Sequence, residues 1–263
     1  MKLEGKTALI TGASSGIGKS LAYLLASHKM NVALVARSKD KLQEIAVDIE
    51  KKYSVSTWTL KKDLSKPNAG KELYEELRIL NVKVDLLINN AGFGKWGGFE
   101  EFTLEEYQNM VQLNITALMD LTYLFLPDLK QRTEAGVINV ASTAALLPVP
   151  FASVYAATKF FVLGFSEGLY GELDGTNVKV HCLCPGGTAT NFNDVASSGK
   201  IGNSNGPDQL TPDEVAQQGI DAFLAGKHYH VTGRKLSILM TRFMPRKSVV
   251  KMVAKAWKKR ITT

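Results

Sequence analysis

The residues best suited to chemistry are Tyr155 and Lys159, four positions apart, with Ser142 thirteen residues before the tyrosine. Residues four apart on a helix share one face, so the phenol and the ammonium are predicted to point into the same space. A nearby cation favours phenolate and is expected to lower the tyrosine pKa from its ordinary value of about 10. Such a phenol can donate or accept a proton at physiological pH. The same spacing is also found in exposed helical pairs without a chemical role. The rest of the chain must therefore decide between these two interpretations.

A glycine-rich turn near the N-terminus favours phosphate binding. The apolar run Thr7 to Ile10 predicts a strand, and a helical pattern follows the turn as far as Ser27. Glycines let the backbone approach a pyrophosphate closely, and a helix N-terminus offers unpaired N–H groups. The Gly-x-x-x-Gly-x-Gly spacing differs from the Gly-x-Gly-x-x-Gly fingerprint of the standard dinucleotide fold. A plain glycine-rich turn is the alternative. The candidate binding residues are Gly12, Ser14, Ser15, Gly16, Ile17 and Gly18.

The end of the second predicted strand indicates which dinucleotide is bound. In NAD sites a carboxylate about 20 residues beyond the glycines holds the ribose 2′-hydroxyl. This chain has Ala36, Arg37 and Ser38 in that region. A guanidinium can pair with a 2′-phosphate, which a carboxylate would repel. We therefore predict NADP(H), with Arg37 and Ser38 on the phosphate and Lys41 nearby. The alternative is a solvated arginine that begins the next helix.

These motifs together resemble the short-chain dehydrogenase/reductase superfamily, over about residues 3 to 233. Within it, the chain looks like the NADPH-linked branch that reduces acyl-chain and hydroxysteroid-type ketones. The resemblance implies an adenine contact at Asp63 and Leu64, and a cofactor-lining segment at Asn90, Ala91 and Gly92. It also implies a catalytic tetrad. The tetrad consists of Asn114, Ser142, Tyr155 and Lys159, and further cofactor residues are Pro185, Gly186, Thr188 and Thr190.

The resemblance also implies a role for each catalytic residue. Tyr155 would donate a proton to a carbonyl oxygen that Ser142 orients. Lys159 would depress the tyrosine pKa and hold the nicotinamide ribose, and Asn114 would hold a water that relays protons to Lys159. We therefore expect an NADP(H)-dependent oxidoreductase that interconverts a ketone or aldehyde and an alcohol. An NADP-binding, redox-sensing regulatory protein on the same fold is the alternative.

The periodicity of the chain predicts an α/β fold. Six apolar strands alternate with helical patterns, and a seventh is predicted at His228 to Val231. Such alternation implies a doubly wound parallel sheet with helices on both faces, here a Rossmann-like sheet in a single domain. We expect the catalytic domain at residues 1–233 and a basic C-terminal extension at residues 234–263.

The C-terminal extension has an unusual charge. Eleven of the 32 Lys and Arg residues lie between Lys227 and Arg260, and no acidic residue follows Asp221. From Arg246 to Ile261 apolar residues recur at helical spacing between lysines, which predicts a basic amphipathic helix. Such a helix can lie on an anionic membrane. It can equally pack on the body or on a second subunit, or bind an acidic partner, so these interpretations stay open.

Composition excludes several other classes. Cys182 and Cys184 lack a second ligand pair, so buried thiols are expected and no metal site is predicted. No apolar run reaches the roughly 18 residues that span a bilayer, and the start of the chain does not resemble a signal peptide. We expect a cytoplasmic homodimer or homotetramer with no nucleic-acid partner. An apolar or lipid-like carbonyl substrate is predicted, with candidate pocket walls at Phe93, Trp96, Leu146, Leu147, Val149, Phe151, Phe192 and Val195.

Overall fold

The computed structural model describes residues 1–197, 199, 209–233, 241 and 243–261, and the side chains of 259–261 are not described. The strands are β1 (Thr7–Thr11), β2 (Asn31–Ala36), β3 (Thr57–Lys61), β4 (Leu86–Asn89), β5 (Ala135–Val140), β6 (Val178–Cys184) and β7 (Tyr229–Val231). The helices are α1 (Gly16–Ser27), α2 (Lys39–Tyr53), α3 (Ala69–Ile79), α4 (Leu104–Val111), α5 (Ala117–Lys130), α6 (Ser153–Glu172), α7 (Phe192–Ala196), α8 (Pro212–Leu224) and α9 (Arg246–Ile261).

The seven strands form one parallel sheet in the order β3-β2-β1-β4-β5-β6-β7. Strands β1 and β4 are buried along their whole length because helices cover both faces, as expected for parallel sheets. One apolar core lies between the sheet and helices α1, α2 and α8, and a second lies under α3, α5 and α6. The predicted doubly wound α/β fold is therefore confirmed.

Two strands begin later than their apolar runs suggest. The apolar runs from Val55 to Leu60 and from Val84 to Ile88 predict the third and fourth strands, whereas β3 starts at Thr57 and β4 at Leu86. Both valines still contact the apolar cores before ladder pairing begins. Apolar residues mark buried positions, and these positions include residues just before a strand begins to pair. The apolar pattern therefore predicted strands that start two residues too early.

A buried polar network joins the middle of the sheet to two helices. The Asn89 amide donates to Thr122 Oγ1 at 3.1 Å and to Asn139 Oδ1 at 2.9 Å. The Asn139 amide donates in turn to Ser166 Oγ at 3.0 Å. Because unpaired buried polar groups are costly, this network favours a single register of β4 and β5 against α5 and α6.

Helices α4 and α5 are continuous through a π-helical turn at Gln112–Thr116. Such turns insert an extra residue into a helix and are frequent at functional sites. This one places Asn114, which is fully buried, on the side facing α6.

Helix α9 begins and ends where the amphipathic pattern predicts. Its Val249 and Val253 are buried in an apolar cluster that also contains Trp96 and Tyr155. Residues 234–240, 242, 262 and 263 of the predicted extension lie outside the described residues. Within the described ranges, the helices fall short of the length and apolarity that crossing a bilayer requires.

Candidate active site

The glycine turn, Thr11–Gly18, lies at the carboxyl end of β1, where the strand order reverses between β1 and β4. Doubly wound folds bind dinucleotides at this point. Gly12 and Gly16 have φ of +68° and +53°, a region that disfavours side chains. A Cβ at Gly18 would lie 2.3 Å from the Gly12 carbonyl oxygen. The first N–H groups of α1 lack intrahelical partners. The turn therefore fits a pyrophosphate, with Ser14, Ser15 and Ile17 between the glycines.

Asn90, the residue directly after β4, forms hydrogen bonds that hold the glycine turn in place. Its amide donates to the Thr11 carbonyl oxygen at 2.8 Å, and the backbone N–H groups of Asn90 and Ala91 both donate to Thr11 Oγ1 at 2.9 Å. Asn90 and Ala91 thus fix the cleft between β1 and β4, while Gly92 continues it toward the catalytic residues.

The segment after β6 closes the other side of the cleft. The Thr143 N–H donates to the Pro185 carbonyl at 2.8 Å, and the Gly186 N–H donates to Thr232 Oγ1 at 3.2 Å. Thr188 forms a bridge with Leu210. Thr190 reaches the glycine turn, because a Cβ at Gly16 would lie 3.2 Å from Thr190 Cγ2. The stretch from Gly186 to Leu210 is rich in Gly, Ser, Thr and Asn, which predicts a loop, and this prediction is partly wrong because α7 lies within it. Residues 198 and 200–208 lie outside the described residues.

Arg37 and Asp63 follow β2 and β3 at the same edge of the sheet. Arg37 is exposed, and Ser38 precedes α2. The pKa of the Asp63 carboxyl is held below its ordinary value: burial raises it, but hydrogen bonds from Ser65 and the positive charge of Arg37 outweigh burial. Leu64 is buried beside Asp63. This end of the cleft thus carries an exposed guanidinium where an adenosine ribose would lie in a doubly wound fold.

Ser142, Tyr155 and Lys159 meet at the carboxyl end of β5. Ser142 begins a short 3-10 turn directly after that strand. Tyr155 and Lys159 are one turn apart on α6, and both are buried. The Lys159 ammonium lies 5.8 Å from the centre of the Tyr155 ring and donates to the Val140 carbonyl at 2.8 Å. The structure thus brings together the three predicted side chains.

The predicted lowering of the Tyr155 pKa is wrong for this arrangement. Burial raises the pKa of Tyr155 to about 12, and the Ser142 hydroxyl opposes this only in part. Two features of Lys159 explain the difference. Its ammonium is directed to the Val140 carbonyl, and burial lowers its own pKa to about 8. Both groups therefore move toward their neutral forms, as burial dictates.

Asn114 acts on the backbone around the site. Its side-chain oxygen accepts from the Phe93 N–H at 3.1 Å, and its amide donates to the Phe93 carbonyl at 2.9 Å and to Thr158 Oγ1 at 3.0 Å. A Cβ on Gly92 would lie 3.0 Å from Asn114 Oδ1 and 3.4 Å from Lys159 Nζ. Asn114 therefore holds the Gly92–Phe93 segment against α6.

Tyr155 belongs to a cluster of four rings, which we call the aromatic stack and which consists of Tyr155, Trp96, Phe192 and Trp257. Trp96 packs edge-to-face on Tyr155 with ring centres 4.8 Å apart, and Phe192 lies 5.7 Å from Tyr155. Trp257 of α9 packs on Trp96 with ring centres 5.3 Å apart. Tyr155 and Trp96 are each only 6% exposed.

Most of the predicted pocket walls belong to the cluster around this stack. Phe93, Trp96, Leu147, Val149 and Phe192 all pack there. Val195 does not, since it is 65% exposed on α7. Phe151 has φ of +67°, a strained conformation for a bulky residue. Its carbonyl accepts from the Gly97 N–H at 2.8 Å, which ties the two wall segments together.

Sequence reasoning missed four residues that the site requires. Thr11, Thr158 and Thr232 are buried threonines whose hydroxyls accept the hydrogen bonds described above. Thr11 and Thr158 each lie beside a predicted site residue, which is their only sequence signal, and Thr232 lacks even that signal. Trp257 was assigned to the amphipathic helix, and its contact with Trp96 carried no local signal.

Comparison with known proteins decides the family. Residues 6–200 match the family model described as short chain dehydrogenase. The chain belongs to the short-chain dehydrogenase family. It is 34% identical over 194 residues to the very-long-chain 3-oxoacyl-CoA reductase of Homo sapiens, a match that covers 71% of this chain and 60% of the human protein. The chain therefore spans less than two thirds of the length of that relative.

Solved members of this oxidoreductase family share the fold. A short-chain dehydrogenase from Sphingobium yanoikuyae in complex with NADPH is 30% identical, with a TM-score of 0.82, covering 90% of this chain and 91% of that one. The bulky-bulky ketone specific alcohol dehydrogenase from Comamonas testosteroni is 27% identical, with a TM-score of 0.78, covering 90% of each chain. The family match ends at residue 200, so α9 lies beyond it.

Proposed function

We propose that this protein is an NADP(H)-dependent carbonyl reductase that interconverts a ketone or aldehyde and an alcohol, on an apolar or lipid-like substrate. The observation that carries this proposal is the convergence of Ser142, Tyr155 and Lys159 beside a glycine turn that fits a pyrophosphate. A redox-sensing protein would need the cofactor cleft but has no need for a proton donor beneath an apolar cover.

The catalytic side chains manage the proton that carbonyl reduction consumes. When bound, the nicotinamide supplies hydride chemistry at the carbonyl carbon. Tyr155, with a pKa of about 12, holds its proton at physiological pH and can donate it to the carbonyl oxygen. Ser142 can donate a hydrogen bond to the same oxygen and stabilise its developing charge. Lys159, with a pKa of about 8, can gain or lose a proton near neutrality. Asn114 keeps the adjoining backbone in place.

The cofactor proposal depends mainly on Arg37. Its exposed guanidinium can pair with a 2′-phosphate, and Ser38 can donate to the same group. The NADPH complex of the Sphingobium yanoikuyae relative supports this choice. We propose that the predicted cofactor residues, from the glycine turn to Thr190, together hold the dinucleotide.

The substrate proposal depends on the apolar cover of Tyr155. Trp96, Phe192 and Val149 surround the proton donor, so an apolar group beside the carbonyl is favoured over a charged one. The ketone chemistry of the two relatives named above agrees with this choice.

We also propose a homodimer or homotetramer. An apolar stripe runs along the exposed side of α4 and α5, with Leu104 at 72% and Tyr123 at 79% exposure. Val111 and Met119, which lie between them in the chain, are also exposed. Light scattering after gel filtration should give a molar mass that is a multiple of the 28.7 kDa of one chain. The Tyr123→Lys substitution should reduce this molar mass. A wild-type monomer would contradict this proposal.

Peripheral contact of a cytoplasmic enzyme with an anionic membrane is a further proposal. Because Val249 and Val253 face the body, contact would use the lysine stripe of α9, defined as Lys247, Lys251 and Lys255, all exposed. Each lysine near an anionic surface contributes about 1 kcal/mol. Salt-sensitive sedimentation with anionic vesicles, lost when the three lysines become glutamate, would support this contact. Equal binding to neutral vesicles would contradict it.

The decisive experiment is a panel of ketones and aldehydes, from small to long-chain, with NADPH or NADH consumption followed by absorbance. We expect turnover with apolar ketones and a preference for NADPH. NADPH binding without turnover of any carbonyl would favour the redox-sensing alternative, and equal use of both cofactors would contradict the role of Arg37.

A further inference from the structure

Tyr155 lies beneath two successive aromatic layers. Trp96 packs directly on the tyrosine ring and forms the inner layer, and Trp257, which packs on Trp96, forms the outer layer. A Cβ on Gly94 would lie 3.0 Å from Trp96 Cη2 and 3.1 Å from Tyr155 Cδ2. The two rings thus pack against a stretch of backbone that has no side chain.

The outer layer belongs to α9, which lies beyond the family match. The side chains of Val249, Val253 and Trp257 are spaced four residues apart and therefore form one face of the helix. Two of them are buried in the Tyr155 cluster and the third contacts Trp96. The lysine stripe and Met252 lie on other sides of the helix and are exposed. The helix therefore presents its apolar face to the catalytic side chains.

The inner layer is also linked to the segment after β6. The Trp96 N–H donates to the Ala196 carbonyl at the end of α7 at 2.8 Å, and the Trp96 ring lies 6.0 Å from Phe192. Trp96 is therefore held between α7 and α9. Displacement of Trp257 frees the Trp96 ring on its α9 side while the backbone anchor to α7 remains.

We propose that Trp257, with Val249 and Val253, forms the outer wall of the substrate site and determines which carbonyl compounds reach Tyr155. The apolar body of the substrate packs against Trp96 and this face of α9. The inference deepens the proposed carbonyl reductase function and rests on it. It makes Trp257 a specificity-determining residue, in a part of the chain that the cofactor does not need.

The test compares Trp257→Ala with Met252→Ala, which removes an exposed apolar side chain from another side of the same helix. The kcat/KM ratio between a bulky and a small ketone should change by about 10-fold or more in Trp257→Ala, because pocket contacts of this size discriminate to that extent. It should stay at the wild-type value in Met252→Ala. NADPH affinity should be the same in all three proteins.

A second readout needs neither substrate nor cofactor. Tyrosinate absorbance is titrated in each variant and in its Tyr155→Phe counterpart, and the difference reports the pKa of Tyr155. Removal of Trp257 admits water to the stack, so this pKa should fall from about 12 toward its ordinary value. A structural role of Trp257 away from the site would leave the pKa unchanged.

The outcomes separate the two proposals. A wild-type protein that reduces no carbonyl overturns the proposed function. An active wild type whose ketone preference and Tyr155 pKa are the same in Trp257→Ala overturns the role of Trp257 alone. If Trp257→Ala does not fold, Trp257→Leu is measured in its place, with the same two deciding outcomes.

Discussion

At the cofactor end of the cleft, exposed backbone forms the surface, whereas at the substrate end packed side chains form it. Gly12, Gly16 and Gly18 sit where side chains would clash or be strained, and Asn90 ties the turn to β4. Around Tyr155 the contacts are between rings, and Trp96 contacts rings that lie 59 and 161 residues further along the chain.

The difference suggests which end of the cleft can change independently. A cradle of backbone N–H groups leaves few choices of residue, because almost any added side chain blocks it. A wall of packed rings can exchange one apolar side chain for another of similar volume at modest cost. Substrate preference can therefore shift at Trp96, Phe192 or Trp257 while the cofactor cleft stays the same.

Tyr155→Phe should have the largest effect and should act on the substrate end alone. Loss of the proton donor is expected to reduce turnover by about 10²- to 10⁴-fold. The ring remains, so the aromatic stack and NADPH affinity should persist. Steady-state reduction and NADPH fluorescence titration measure the two effects. Near-normal turnover would remove Tyr155 from the mechanism.

Lys159 lies between the two ends, and its effect should depend on pH. Its pKa is about 8 in the folded protein and about 10.5 when unfolded, so between these values the unfolded chain binds more protons. The free energy of unfolding should therefore rise with pH in this window, by about 3 kcal/mol in total. The penalty for burying the charged amine is fully present below pH 8.

Urea unfolding of the cofactor-free wild type and Lys159→Met, at pH values from 7.5 to 10, tests this prediction. The difference in stability between wild type and variant should change with pH in favour of the wild type. A constant difference would mean that Lys159 keeps its ordinary pKa in the folded protein.

Arg37→Ala should act on the cofactor end alone. Loss of a charge-assisted contact with the 2′-phosphate should weaken NADPH binding by about 1.5 to 3 kcal/mol. NADH binding should stay the same, since NADH lacks that phosphate. Titration of both cofactors into both proteins gives the four dissociation constants. Similar losses for NADH and NADPH would indicate a general effect on the cleft.

A pair of glycine substitutions sharpens the comparison most directly. Gly18→Ala places a Cβ against the Gly12 carbonyl, and Gly94→Ala places one against Trp96 and Tyr155. Overpacking of this kind costs about 1 to 3 kcal/mol. Gly18→Ala should weaken NADPH binding, whereas Gly94→Ala should lower turnover with NADPH affinity retained.

Gly164→Ala on α6 is the control for this pair. Its Cβ would meet none of the described residues within 4 Å, so the substitution should leave both NADPH affinity and turnover unchanged. It should also stabilise the helix by about 0.5 to 1 kcal/mol. If Gly94→Ala and Gly18→Ala weaken NADPH binding equally, the two ends of the cleft are not independent.

The sequence predicted the fold and the glycine turn because their signals are local. Strands alternate with helices, and the turn from Thr11 to Gly18 is a single stretch of chain. The convergence of Ser142 with Tyr155 followed from the family resemblance. The direction of the Tyr155 pKa shift could not be predicted, because it depends on burial by Trp96 and Phe192, which approach only after folding. The same reason hid the contact of Trp257.

The long helix from Leu104 to Lys130 contains the π-helical turn at Gln112–Thr116. Because of this turn, the part of the helix after it is rotated about the axis relative to the part before it. One extra residue advances everything after it by about 100° around the helix axis. Deleting one residue there would restore a regular helix. It would then force a choice between the hydrogen bonds of Asn114 to Phe93 and the packing of Leu121 and Phe125 in the core. The inserted residue therefore fixes the rotation of the second part of the helix relative to the first. As a result, one continuous helix contributes side chains both to the cleft and to the interior of the protein.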